Sequence, residues 1–125
     1  MNDVTPKEVA RFEVQIGVED VARFARTLGY RKEPKRLAPP TFPARFLSEY
    51  MRQLADSSGR ELVHITQSFA YVRRPRIGES LQCRILSQCR TVGERCEATV
   101  ILELSDSSGA DVARSESRLA LVELS

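Results

Sequence analysis

The sequence has no tryptophan, one histidine and only 6% aromatic residues. So few rings leave little from which to build an aromatic cage or a platform for stacked bases. A single histidine, His64, excludes within one chain any site that needs two imidazoles, Cys2His2 zinc included. The three cysteines, Cys83, Cys89 and Cys96, are odd in number and form no C-x-x-C pair, so free buried thiols in a reducing compartment are expected, and no metal. No stretch approaches the roughly 18 apolar residues of a membrane span. The opening MNDVTPKEVARFE is too polar for a secretory signal, which makes the cytoplasm the expected location. Neither charge sign dominates: 19 basic against 17 acidic residues leave a net charge of +2, which does not call for a nucleic-acid partner. The glycines are scattered at turns and form no G-x-G-x-x-G cradle.

What is present is one domain's worth of chain, 1–125, with 42% hydrophobic and 29% charged residues. Its first half reads helical. Phe12, Val14 and Ile16 alternate over Arg11–Ile16 as a short strand would. Val18, Val21, Ala22, Ala25 and Leu28 recur at helical spacing, Glu19 and Asp20 suit the first turn, and Gly29 follows the last periodic residue; a helix over 18–28 is expected. Residues 31–43 carry four prolines, which forbid a continuous helix or central strand. A second helix is expected from Pro43, capped by Thr41 or Phe42 and ended by Asp56-Ser57-Ser58-Gly59. Its broad stripe of Phe46, Leu47, Tyr50, Met51 and Leu54 implies deep burial.

The second half reads as strands. Ile65, Phe69 and Tyr71 are expected on one face. Leu81, Cys83, Ile85 and Cys89, then Cys96, Ala98, Val100, Leu102 and Leu104, then Ala113, Ser115, Ser117, Leu119 and Leu121 alternate with polar residues. The pattern puts all three cysteines on covered faces. Turns are expected at Arg74–Gly78, Val92-Gly93-Glu94 and Asp106–Gly109, and breaks of hairpin length imply antiparallel neighbours. The small Ala113, Ser115 and Ser117 let a helix lie close. The fold class is therefore α+β, a curved antiparallel sheet wrapped around one main helix.

That order of elements is similar to a hotdog fold, and two motifs sharpen the likeness. Ala38-Pro39-Pro40-Thr41-Phe42-Pro43 resembles the entry to the central helix in MaoC-like dehydratases of the N-terminal type. Val63-His64, Gln67-Ser68-Phe69, Tyr71, Arg74-Pro75 and Gly78 resemble that family's VHxxQxFxYxRPxxxGD strand and turn, with Glu79 in place of the usual Asp. The resemblance implies a homodimer, or a heterodimer with a catalytic MaoC-like subunit. It also implies an acyl thioester as ligand, acyl-CoA or acyl-ACP, with coenzyme A or phosphopantetheine as part of the substrate and no separate cofactor. The family's water-handling Asp and His sit in a G-D-x-N-P-x-H segment. Here Tyr30 stands where that Asp would be, and no histidine precedes His64. The resemblance therefore implies a non-catalytic, substrate-shaping subunit of a dehydratase or hydratase system. A hydratase or thioesterase with relocated residues, and an assembly scaffold, are the alternatives.

The candidate catalytic residues are His64, the natural acid–base group, and Glu49, a carboxylate on the second helix. Candidate substrate-binding residues are Tyr30, Pro40, Thr41 and Phe42 along the helix entry, and Arg73, Arg74 and Arg76, whose guanidinium forks suit phosphate. Lys32, Lys35 and Arg36 form a second basic run able to steer an anionic partner.

Overall fold

The computed structural model describes residues 5–32, 34–93 and 95–123. In chain order they form β1 (Lys7–Gln15), α1 (Val18–Thr27), a 3-10 turn (Phe42–Ala44), α2 (Arg45–Ser58), β2 (Glu61–Tyr71), β3 (Ser80–Val92), β4 (Arg95–Ser105) and β5 (Asp111–Val122). The five strands make one antiparallel sheet in the order β1-β3-β4-β5-β2. Residues paired directly across antiparallel strands share a face. Cys83 opposes Phe12 and Leu104, Ile85 opposes Ala10 and Leu102, and Ala98 opposes Leu119. This face joins Val21, Phe42 and Leu47 from the helical half in one core. The other face carries the arginines and glutamates. The α+β hotdog expectation holds.

Both helices end as their glycines require. Gly29 (φ 84°) follows α1; its N–H donates to the Arg26 carbonyl at 3.0 Å, and the Tyr30 N–H donates to the Ala25 carbonyl at 3.0 Å. That pair of bonds satisfies the carbonyls a helix end leaves open, and a left-handed residue closes it. Gly59 (φ 64°) ends α2, with the Arg60 N–H reaching the Ala55 carbonyl at 3.4 Å.

Four expectations are corrected. First, β1 starts at Lys7 rather than Arg11, because a bulge between Glu8 and Ala10 breaks its alternation. Second, a bulge between His64 and Thr66 shifts the phase of β2. His64 therefore opposes Leu119 on the core face, where Gln67, Phe69 and Tyr71 follow opposite Ser117, Ser115 and Ala113, and Ile65 drops out of the series. Third, β2 does not neighbour β3: residues 72–79 carry the chain away, and β2 pairs with β5 at the sheet's edge. Fourth, burial is uneven. Cys83 is buried, but Cys89 is exposed and Cys96 half-buried, because they lie where β3 and β4 approach their hairpin end. Likewise only Leu47 of α2 is fully buried, while Phe46, Tyr50, Met51 and Leu54 are half-covered. In the expected β3–β4 turn, Gly93 takes φ 63°, and Glu94 lies outside the described residues.

Candidate functional site

The two motifs that carry the resemblance are halves of one clamp. The Ala38 N–H donates to the Pro75 carbonyl (2.9 Å), the Ile77 N–H to the Arg36 carbonyl (2.9 Å), and the Arg74 guanidinium to the Ala38 carbonyl at 2.7 and 3.1 Å. The Gly78 N–H reaches the Ile16 carbonyl at 2.7 Å, and the Ile16 N–H reaches Glu79's carbonyl at 2.9 Å. Arg73 grips Glu79 with a two-bond fork at 2.8 and 2.7 Å, and the Arg76 N–H donates to the same carboxylate at 2.6 Å. The Arg73 fork above all holds the Glu79 carboxyl below the usual carboxylate range, against burial, which pushes it up. The guanidiniums of Arg73 and Arg74 are thus engaged by protein partners. Arg76 is exposed, as are Lys32, Lys35 and Arg36.

The clamp delivers the chain into α2. Thr41 caps the 3-10 turn without a side-chain bond, and Pro40 and Thr41 are exposed. Phe42 is buried instead, edge-on to Phe24 at 5.4 Å and to Phe46 at 5.8 Å. Arg45 lies over the Phe42 ring, 5.4 Å from its centre, and reaches the Asp20 carboxylate at 3.8 Å, latching α2 to α1. Tyr30, exposed, follows the end of α1.

Between β1 and α2 runs a groove of about 390 Å³, within the size range of small-ligand pockets. Val9, Ala10 and Phe12 of β1, with Ile85 of β3, form one wall; Phe46 and Tyr50 of α2 form the other. Arg45, Glu49 and Gln53 supply its polar groups. Glu49 accepts hydrogen bonds from Arg52 and, at 3.2 Å, from Gln53. Half-covered residues of α2 thus become walls. Chemically, the groove offers an apolar trough with one carboxylate beside it.

His64 is not at this groove. It sits on β2, at the far edge of the sheet from β1, exposed and with no groove residue near it in the strand order. Four strand spacings of about 4.8 Å put roughly 19 Å of sheet between the two edges. Within one chain, the structure brings Glu49 and Tyr50 together with β1 but does not bring Glu49 and His64 together. Sequence reasoning missed Val9, Ala10 and Ile85 as groove-lining residues. The only signal for Val9 was the broken alternation before Arg11, and the bulge explains it.

No protein-family model matches the sequence, and no curated protein matches it. Solved structures do. A C-terminally truncated HadBC complex, a 3R-hydroxyacyl-ACP dehydratase from Mycobacterium tuberculosis, matches with TM-score 0.71 and 16% identity over 94% of this chain and 98% of that one. A MaoC-like dehydratase matches with TM-score 0.69 and 19% identity over 90% of this chain and 41% of that one. A Streptococcus mutans protein bound to acetyl CoA matches with TM-score 0.61 and 10% identity over 98% of this chain and 96% of that one. At such identities the likeness is one of fold, and the fold is that of MaoC-like and hotdog dehydratases.

Proposed function

We propose that this hotdog chain binds an acyl thioester, acyl-CoA or acyl-ACP, with the acyl chain in the β1–α2 groove, and that it serves as a non-catalytic, substrate-shaping subunit. The observation that carries this is a groove with apolar walls and, among the described residues, no converging acid–base pair. Glu49 is the one carboxylate beside it among the described residues, His64 lies at the opposite sheet edge, and the sequence resemblance aligns Tyr30 with the family's aspartate. Dehydration or hydration needs one group to move a proton and another to hold water, both reaching into one pocket. The partner that completes the chemistry would be a catalytic MaoC-like subunit, joined along the open edge of β2 in exchange for the second copy that pairs there when this chain is alone. That the HadBC structure is a complex supports this reading. The exposed Lys32, Lys35 and Arg36 would steer the anionic carrier.

One observation favours a second reading, a thioesterase. Glu49 is a carboxylate beside an apolar trough, placed to activate water against a thioester carbonyl.

The test is a panel of acyl-CoAs and trans-2-enoyl-CoAs titrated calorimetrically into the purified chain, with turnover followed in parallel. Saturable binding without hydration or hydrolysis is expected, weakened by Tyr50→Ala. Hydrolysis abolished by Glu49→Gln establishes the thioesterase reading. No binding to any acyl-CoA or acyl-ACP removes both and leaves an assembly scaffold.

A further inference from the structure

The wet face of the sheet carries two ion-pair clusters built alike but balanced differently. In the first, Glu8 takes Arg11 at 3.0 Å and Arg84 at 2.6 Å, and Arg84 also reaches Glu103 at 3.2 Å. Two guanidiniums meet two carboxylates. In the second, Glu97 stands alone among the described residues against three arginines, Arg95 at 2.6 Å, Arg90 at 3.4 Å and Arg118 at 3.7 Å. Its side chain is only 9% exposed although it sits on the wet face, because the arginines cover it. Arg95 above all holds the Glu97 carboxyl below the usual range, so at neutral pH it is ionised and the cluster keeps two positive charges in excess.

The excess borders a hollow. Arg90 and Arg118 flank a polar pocket of about 210 Å³ with Glu97 in its wall and the Gln88 and Thr99 side chains lining it. The strand register puts Arg118 opposite Thr66 and Thr99, and Thr99 opposite Gln88. A row of hydrogen-bond donors without a carboxylate thus crosses the sheet beside the two arginines. Guanidinium forks with neutral donors between them match a tetrahedral oxyanion, and two excess charges match the roughly −1.5 to −2 of a phosphate monoester. The hollow takes a small group, not a protein surface.

We propose that this pocket binds the phosphate group of a small phosphorylated metabolite, at a site separate from the β1–α2 groove. Arg90 and Arg118 hold the phosphate oxygens and Gln88 and Thr99 donate beside them, while Arg95 keeps the Glu97 carboxylate paired.

The test uses the full chain and inorganic phosphate as probe, followed by calorimetry and by the arginine side-chain NMR signals, with sodium chloride at matched ionic strength as control. Saturable binding is expected with phosphate and not with chloride. Arg90→Gln/Arg118→Gln should weaken it at least about tenfold, since charge-assisted bidentate contacts are the strong ones. Arg118→Lys, which keeps the charge and loses the fork, should weaken it less. Glu97→Gln should tighten binding several-fold by removing the only negative charge among the described residues of the pocket. An ion-pair cluster that merely stabilises the sheet has no reason to gain affinity in that variant. Should the double variant fail to fold, Arg118→Lys and Glu97→Gln decide the matter. Phosphate that behaves like chloride, or affinity indifferent to Glu97→Gln and Arg118→Lys, overturns the proposal.

Discussion

At the scale of residues, the Arg-Pro turn serves as support. Pro75 is buried and accepts the Ala38 N–H, Arg74 holds the Ala38 carbonyl, and Arg73 holds Glu79. The Glu79 carboxylate reaches both the Arg73 fork and the Arg76 N–H. Because folding lowers the Glu79 carboxyl's pKa, its contribution to stability is complete above the carboxyl's unfolded value and is lost as pH falls through the lower folded one. Glu79→Gln is therefore expected to cost about 1 kcal/mol or somewhat more at neutral pH, at the low end because both side chains keep some solvent contact. The variant should also show a flatter loss of stability on acidification. Urea unfolding at neutral pH and at successive acidic values measures both. Wild-type and variant curves that stay parallel through the acid range would remove Glu79 as the source.

At the scale of elements, β5 carries an unresolved cost. Ser115 and Ser117 are buried on the core face, and neither hydroxyl has a hydrogen-bond partner among the described residues; the Tyr71 hydroxyl has none among them either. Burial pushes the Tyr71 phenol up to about 12. A buried hydroxyl without a partner costs roughly 1–3 kcal/mol, so Ser115→Ala and Ser117→Ala should each leave stability unchanged or raise it by up to about 1 kcal/mol. Denaturant midpoints test this; a loss beyond about 1 kcal/mol in either would show that its hydroxyl is satisfied by bound water. The alternation of β5 was legible in the sequence because the strand is regular and covered on one face. The second strand was legible as a strand but not in phase, since one bulged residue inverts everything after it and composition does not announce a bulge. The two helices were legible from period and terminal glycines, but not the half-cover of α2, because a hydrophobic stripe states what must be buried and not whether the same chain buries it. The groove escaped for a related reason, as its walls come from β1 and α2, which no local pattern joins. Glu49 was legible as a helix carboxylate; that it lines a groove His64 does not line depends on how α2 lies against β1, which no local pattern states.

At the scale of the whole molecule, the sheet ends in open edges, β1 beside the groove and β2 opposite it. β2 is an edge strand whose outer ladder has no partner among the described residues, and it carries exposed Val63 (46%) and Ile65 (42%). α2 leads directly into it through Gly59 and Arg60. A long apolar edge invites another strand. A second copy presenting the same edge would continue the sheet across a two-fold axis and bring helices together. A stable pair should bury more than about 1,000 Å² in total. The purified chain is therefore expected to sediment as a particle of twice 14.1 kDa at micromolar concentration. Ile65→Lys would place an unpaired charge in that seam and should weaken the dimer at least about tenfold, which corresponds to some 1.4 kcal/mol. Val92→Lys, equally exposed at 41% but at the β3–β4 hairpin end, should leave it unchanged. Sedimentation equilibrium over a concentration series separates the two variants. A wild-type chain that stays at 14.1 kDa throughout would count against self-pairing and reserve the edge for a different subunit. In that case mixing with a catalytic MaoC-like chain should produce the heavier particle, and Ile65→Lys should abolish it.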